Sequence, residues 1–395
     1  MSEQQRYRVL KRLASGGMAE VFVAESAGIE GFKKQVAIKR VLPQLSKKEQ
    51  FIAMFLDEAR LSAHLSHSNV VSVFDIGVGD GTYFIVMEYV DGADLKAVVD
   101  HAKKVSRRIP VEAATYVATR ICQGLAYAHE LKSEGKPLQI IHRDITPANV
   151  LITRYGEVKI VDFGLAKASS QLAASDAGVI KGKFGYLAPE TVLEKPVDQR
   201  VDVFAVGIIL WEMLSGQRLF QGDTDYQTVR KVRDAVIPSL LPMGLGVTPE
   251  LEQIVMRSLA RDPDARYQTA RDLGRDLTRF LYRFGRPVGD DDIAELVLDA
   301  VGGTAAQPVD GTKKIADMID LMLLEFRSLS KEEQDAGPSP SLFPELSFRS
   351  TPPPSNAEGA EELTLGGLAD ELEGPEPVAQ EQSTVGSWLR GLVSR

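Results

Sequence analysis

Over the first ninety residues the apolar positions fall in short runs rich in β-branched side chains, at 7–14, 20–26 and 35–41, separated by turns that contain glycine. Such runs predict strands. Between residues 47 and 65 the period becomes helical, with Phe51, Phe55, Ala59 and Ala63 recurring every four positions. Two more strand-like runs follow, near 70–76 and 83–89. After Asp91 and Gly92 the pattern turns to helices. Residues 111–131 predict a long one, and 203–214, apolar almost all round, a helix buried on every side. Helical spacing recurs near 249–259 and 269–280. A small β-rich part thus precedes a larger α-rich part.

The pattern weakens past Arg286. Residues 292–301 and 313–326 have helical spacing, the second with Ile315, Met318, Ile319, Met322, Leu323 and Phe326 on one face for the body or a partner. From residue 331 the composition shifts to Pro, Ser, Glu and Gly, which buries too little apolar surface to offset ordering, so 331–395 is expected to be disordered. A short apolar segment near its end carries Trp388, Leu389, Leu392 and Val393 beside Arg390 and Arg395. No internal repeat is visible.

At 395 residues the chain exceeds the usual limit of one core, so one two-lobed domain or two domains, with appendages, is expected. Cys122 is the sole cysteine. That excludes a disulfide framework and a cysteine zinc site, and suits a reducing interior. No signal-peptide pattern is present, and the longest apolar run, 203–210, is far short of the roughly 20 residues that cross a bilayer. A cytoplasmic protein without a transmembrane anchor is expected. The net charge of −9 lies mostly in residues 331–395, whose 12 acidic and 4 basic residues give −8. The nearly neutral remainder offers no basic face for nucleic acid.

Four signals with chemical content occur in order. Residues 13–21 form a flexible turn between two strands: Leu13, Ala14, Ser15, Gly16, Gly17, Met18, Ala19, Glu20 and Val21. Val36-Ala37-Ile38-Lys39 is a strand with one lysine among apolar residues. His142-Arg143-Asp144 is followed five residues later by Asn149. Asp162-Phe163-Gly164 comes next, and Ala188-Pro189-Glu190 closes the series. Each is weak alone; their order and spacing carry the inference.

With these motifs, and with the closing residues 262–267, the chain resembles the bacterial eukaryotic-like (Hanks-type) Ser/Thr protein kinases, of the kind abundant in myxobacteria, over residues 7 to about 283. The resemblance implies an α+β bilobal fold: a kinase domain at 1–283 with an N-lobe to about 88 and a C-lobe from about 91, a helical extension at 284–330, and the tail. It implies transfer of the ATP γ-phosphoryl group to protein Ser or Thr hydroxyls, autophosphorylation included, with Mg²⁺ as the metal and Mn²⁺ as a possible substitute.

Phosphoryl transfer needs positioning and charge neutralisation more than covalent help. A glycine turn lets backbone amides approach phosphate oxygens. Lys39 supplies positive charge to the α/β-phosphates; by resemblance, Glu58 holds it. Asp162 and Asn149 offer oxygen ligands for Mg²⁺. Asp144 is the expected acceptor of the substrate hydroxyl proton. By resemblance again, Leu13, Val21, Ala37, Met87 and Leu151 sandwich adenine, Glu88 and Val90 bond its edge through backbone groups, and Asp94 contacts ribose. His142 is expected in the core, Asp202 is expected to brace the catalytic loop, and Glu190 to pair with Arg266.

Three departures stand out. Ala14 and Ala19 occupy family glycine positions, with strain expected if either needs positive φ. Thr146 stands where Ser/Thr kinases have lysine, and Lys183, after Gly182, where they have threonine. The two residue types are exchanged, so Lys183 is expected to supply the missing ammonium. Arg143 implies control by a phosphorylated loop, yet no threonine lies between Phe163 and Glu190. Ser169, Ser170 and Ser175 are the available hydroxyls, and Ser175 has the family spacing. Residues 130–141 read as a surface loop longer than the family norm. Alternatives stay open at this point: a nucleotide-binding pseudokinase scaffold, an interaction protein acting through its tail, and, since Thr146 removes the usual Ser/Thr marker, tyrosine specificity. Another kinase or a transcription regulator would be a plausible protein substrate.

Overall fold

The computed structural model describes residues 7–16, 18–27, 33–79, 81–163, 183–302 and 327–328. The β-branched runs at the start form β1 (Tyr7–Ser15), β2 (Ala19–Ala27), β3 (Lys33–Val41), β4 (Val73–Gly79) and β5 (Thr82–Glu88), antiparallel in the order β1-β2-β3-β5-β4. Directly paired residues share a face, and successive residues alternate between faces. Val21, Lys39 and Ile85 are in register, as are Val23, Ala37 and Met87. All six therefore lie on one face, the one that looks into the cleft. The opposite face carries Tyr7, Ala24, Val36, Ile38, Phe84 and Val86, a separate buried cluster.

Helix α1 (Glu49–Ala63) lies against the inner face, where Phe51, Phe55 and Ala59 pack with Val41 and Ile85. The spacing of four found in the sequence is this buried stripe as far as Ala59; Ala63, at the end of the helix, is exposed. Glu49 in the first turn and Arg60 in the last complement the helix dipole. The run expected as a strand from residue 70 begins its ladder only at Val73. Before that, Val70 bridges Ile160 and Val71 donates its N–H to the Ile160 carbonyl, because this segment is claimed by the second lobe.

That lobe contains β6 (Gly92–Asp94), α2 (Leu95–Lys104), α3 (Val111–Glu130), β7 (Lys132–Ser133), β8 (Lys136–Pro137), β9 (Val150–Thr153), β10 (Val158–Ile160), α4 (Pro189–Val192), α5 (Arg200–Ser215), α6 (Asp225–Asp234), α7 (Pro249–Ser258), α8 (Ala270–Phe284) and α9 (Asp290–Gly302). Every residue of α5 from Val201 to Leu214 is buried, as its all-round apolar sequence requires. Gly216 ends it in the left-handed conformation, φ 69°. Thr224, Thr248 and Thr269 cap α6, α7 and α8 by accepting N–H bonds from Gln227, Leu251 and Asp272.

The long loop expected at 130–141 contains a small hairpin, β7–β8, whose turn residues Glu134 and Gly135 both have positive φ, 51° and 79°. Two left-handed central residues match the twist of paired strands. Helix α9 adds Ile293, Val297 and Ala300 to the C-lobe core. A last two-residue strand, β11 (Arg327–Ser328), pairs with the edge of β4. The candidate helix at 313–326 and the tail from 331 lie outside the described residues.

A buried ion pair fixes the base of the C-lobe. Arg266 is 1% exposed, and its two terminal nitrogens lie 2.6 and 2.8 Å from the Glu190 oxygens. It also donates to the carbonyls of Ala260, Arg261 and Arg200, and its guanidinium stacks 4.6 Å over Phe204. Breaking such a pair from one side leaves a buried charge uncompensated. Arg266→Met is expected to lower the unfolding free energy by about 3–5 kcal/mol; denaturant titration measures it.

Candidate active site

The cleft residues come from strands and loops that meet where the two lobes face each other. Lys39 on β3 is 6% exposed, and its ammonium lies 2.7 Å from Asp162 Oδ1 and 3.6 Å from Glu58 Oε1. Burial opposes this charge, but Asp162 and Glu58 more than offset it and hold the lysine above its ordinary pKa. Glu58 has the reverse balance. Burial pushes its carboxyl up to about 8 against the pull of Lys39. Its Oε2 is buried without a hydrogen-bond partner among the described residues.

Asp202, at the start of α5, organises the loop that carries Asp144. One of its oxygens accepts the Arg143 N–H at 2.8 Å, and the other the His142 N–H at 2.9 Å and lies 2.8 Å from His129 Nε2. Burial pushes the Asp202 carboxyl up, but the bond and charge of His129, with His142 and the Arg143 amide, leave it below the ordinary value. His142 is fully buried, packs against Phe163 with the rings tilted and their centroids 4.6 Å apart, and lies 3.0 Å from the Val161 carbonyl. Its place in the core and the bracing by Asp202 are as expected.

The Asn149 side chain donates to the Asp144 carbonyl at 2.8 Å and to Asp144 Oδ2 at 3.2 Å. Asn149 also accepts the Val161 N–H on its carbonyl, which ties it to the strand leading into Asp162. Arg143 and Asp162 both have φ of 65°, a costly conformation for these side chains that the surrounding bonds enforce. Buried Arg143 Nε has no hydrogen-bond partner among the described residues.

An apolar layer lies beside these groups. Ala37, Val71 and Met87 are buried together, with Val21, Val90 and Leu151 packed against them. Behind Met87, a cavity of about 20 Å³ is walled by Lys39, Glu58, Asp162 and Phe163. Leu13 is not in this layer. It sits on the outermost strand, 45% exposed, at a bulge where the register of β1 with β2 shifts between Arg12 and Ala14. Met18 packs instead on the cluster beneath α1, and its carbonyl accepts the Leu42 N–H. Asp94 caps α2 through a 2.7 Å bond from the Ala97 amide. The Glu88 side chain turns back to Lys159, 2.9 Å away.

The feared strain at the turn is absent. Ala14 and Ala19 lie within β1 and β2, neither has positive φ, and Gly16 closes the turn by donating to the Ala19 carbonyl. Ser15 ends β1. Thr146 is buried, just before the helical turn Pro147–Asn149. Lys183 opens the turn Lys183–Tyr186. Gly17, Gly164 and the serines Ser169, Ser170 and Ser175 lie outside the described residues. Lys159 is a contact the sequence reading missed. Its signal was a lysine inside the apolar run Val158-Lys159-Ile160.

The residues fit a magnesium nucleotide. A buried lysine, a carboxylate and an amide face one cleft, with an unpartnered carboxylate oxygen behind them. Among the described residues no cluster of three or more His, Cys, Asp or Glu could hold a metal alone. A pair of oxygen donors suits Mg²⁺ that shares its shell with phosphates and water.

The protein kinase domain family matches residues 7–276. The tyrosine-protein kinase MasK of Myxococcus xanthus is 39% identical over 70% of this chain and 43% of its own length. The serine/threonine-protein kinase PrkC of Bacillus subtilis is 34% identical over 69% of this chain and 40% of its own. The chain thus spans less than half the length of these relatives. The crystallised kinase domain of Mycobacterium tuberculosis PknI superposes with a TM-score of 0.52 and 26% identity, over 71% of this chain and 99% of that one.

The Glu58 carboxyl makes a pH test. Unfolded, it ionises near its ordinary 4.5; folded, near 8. Between those values the folded state binds more protons, so stability falls as pH rises. The melting temperature of the nucleotide-free protein is expected to drop across this window, and Glu58→Gln to flatten the drop.

Proposed function

This chain belongs to the protein kinase family, and from that premise we propose that it transfers the γ-phosphoryl group of Mg-ATP to serine and threonine hydroxyls of proteins. The observation that carries the reading is the meeting of Lys39, Asp162, Asn149 and Asp144 in one cleft, with Lys39 only 2.7 Å from Asp162 and Asn149 bonded to Asp144. A scaffold without activity has no need of this metal-ligating pair or of a braced Asp144.

When bound, Mg²⁺ or Mn²⁺ neutralises charge on the phosphates. Asp162 and the Asn149 amide oxygen would hold it. Lys39 orients the α/β-phosphates, and the backbone of residues 14–18 approaches them. The layer of Val21, Ala37, Met87 and Leu151 takes the adenine, the backbone of Glu88 and Val90 its edge, and the Asp94 carboxylate the ribose. Asp144 accepts the proton of the attacking hydroxyl. Lys183 supplies the ammonium that Thr146 cannot, which keeps the net charge of the site. Arg143, whose Nε has no hydrogen-bond partner among the described residues, would take an anion, and phosphorylated Ser175 is the proposed source, ahead of Ser169 and Ser170. The proposed setting is cytoplasmic signalling, with another kinase or a transcription regulator as substrate and the tail available to a protein partner. Among the described residues no helix is long and apolar enough to cross a membrane.

A second reading of acceptor class has a specific basis. Thr146 lacks the lysine that marks Ser/Thr specificity, and the relative at 39% identity is named a tyrosine-protein kinase.

Incubation with Mg-ATP and mapping of phosphate by mass spectrometry, with Asp162→Asn as blank, separates these readings. Phosphoserine and phosphothreonine in the wild type alone are expected; phosphotyrosine alone would establish the second reading. Lys183→Ala is expected to cut turnover about a hundredfold, the cost of removing one group that stabilises developing charge. Thr146→Lys should restore part of it. Unchanged turnover in Lys183→Ala would remove Lys183 from the mechanism.

A further inference from the structure

Lys159 is a buried cation for which the reaction has no direct use. It sits on β10, three residues before Asp162, and is 9% exposed. A lysine in that position needs partners, because burial disfavours its charge. It has two. Its ammonium lies 2.9 Å from Glu88 Oε1 and donates to the Ser68 carbonyl at 3.1 Å.

Both partners lie at junctions. Glu88 ends β5, where the chain crosses from the first lobe to the second. Its Oε2 accepts the Ser72 N–H at 3.3 Å, while its own N–H donates to the Ser72 carbonyl at 2.8 Å. Ser68 belongs to the loop between α1 and β4, which is docked on the C-lobe. Tyr127 of α3 stacks on His67 at 5.0 Å and its hydroxyl accepts the Ser66 N–H at 3.0 Å. The Asn69 side chain donates to the Val158 carbonyl at 2.8 Å. Asn69 also crosses α3 at Gly124, where a Cβ would come within 2.7 Å of its carbonyl oxygen, so only glycine allows the approach.

One ammonium therefore joins the crossover strand, the docked loop and the strand that delivers Asp162. We infer that Lys159 is a positioning residue that sets the nucleotide site's length, holding the adenine end at Glu88 in register with the metal end at Asp162. The inference rests on the proposed nucleotide site. Its physical basis is that the carboxylate of Glu88, once folded back onto Lys159 and Ser72, cannot swing away without leaving the buried Lys159 ammonium without its counter-charge. The Glu88 backbone is then fixed before any ligand arrives, which is preorganisation.

The test compares Lys159→Met, Lys159→Arg, Glu88→Gln and the Lys159→Met/Glu88→Gln double variant in the full chain. In Lys159→Met the KM for Mg-ATP, and the ATP dissociation constant by calorimetry, are expected to rise about tenfold with kcat within twofold. Lys159→Arg should recover most of the loss, and the double variant should be no worse than the worse single one, the signature of coupling. If Lys159 only filled space, methionine of similar length would leave KM unchanged and the two single effects would add; either result overturns the inference.

A readout without nucleotide keeps this distinct from failure of the kinase reading. Amide exchange at Ser72 should speed up at least tenfold in Lys159→Met while amides on the outer face of β2 stay as in the wild type. Unchanged exchange at Ser72 overturns the positioning role even if the protein proves to be a kinase. Faster exchange in a protein that binds no ATP keeps the clamp and sinks the proposed function alone.

Discussion

A single charge, the ammonium of Lys39, is the constraint around which the cleft is arranged. It is almost fully buried, so it exists as a cation only because Asp162 and Glu58 are beside it. Each partner arrives on a different element. β3 must lie next to β5 to put Lys39 on the inner face, α1 must pack on that face to bring Glu58, and β10 must end below it to bring Asp162. If any of these packings shifted, a buried charge would lose its counter-charge. The distances show which partner dominates here: Asp162 is in hydrogen-bond contact, and Glu58 stands farther off with a raised pKa and one bare oxygen.

The same economy appears below the cleft. Asp202 is a buried carboxylate that ties two amides of the loop carrying Asp144 to His129 of α3, and the left-handed backbone of Arg143 is tolerated because its N–H is held there. Arg266 and Glu190 repeat the device at the base of the lobe, and Lys159, buried against the partly exposed Glu88, does related work at the crossover. Buried ion pairs of this kind add little net stability against an apolar substitute. Their effect is geometric, because each permits one arrangement of the segments it joins.

Much of the site was legible along the chain. The lysine after the apolar run Val36-Ala37-Ile38 was singled out by its setting, and the resemblance named Glu58 as its partner, which stands at 3.6 Å while Asp162 comes closer. The Asp202 brace, the core role of His142 and the Glu190–Arg266 pair were likewise expected and are present. What could not be read is instructive. Leu13 belongs to the apolar set by resemblance, yet it stays half open at a bulge where β1 slips its register against β2. Met18 has the same local pattern but turns to the α1 cluster, and which way it turns depends on the helix it meets. The long loop at 130–141 hid a hairpin, because two-residue strands carry no periodicity.

The sequence by itself determined the strands of the first lobe, helix α1, the long helix α3 and the buried helix α5, since periodicity is a local property, and the order of its motifs singled out the charged residues proposed for the site. Tertiary structure alone decided the partners. Nothing local to Lys159 and Glu88, seventy-one positions apart, relates one to the other. Their pairing follows from a docked loop, a glycine on α3 and a sheet register. Nor does spacing reveal that Lys39 favours Asp162 over Glu58, because that preference is set by how closely two lobes approach in a medium where water no longer screens the charges.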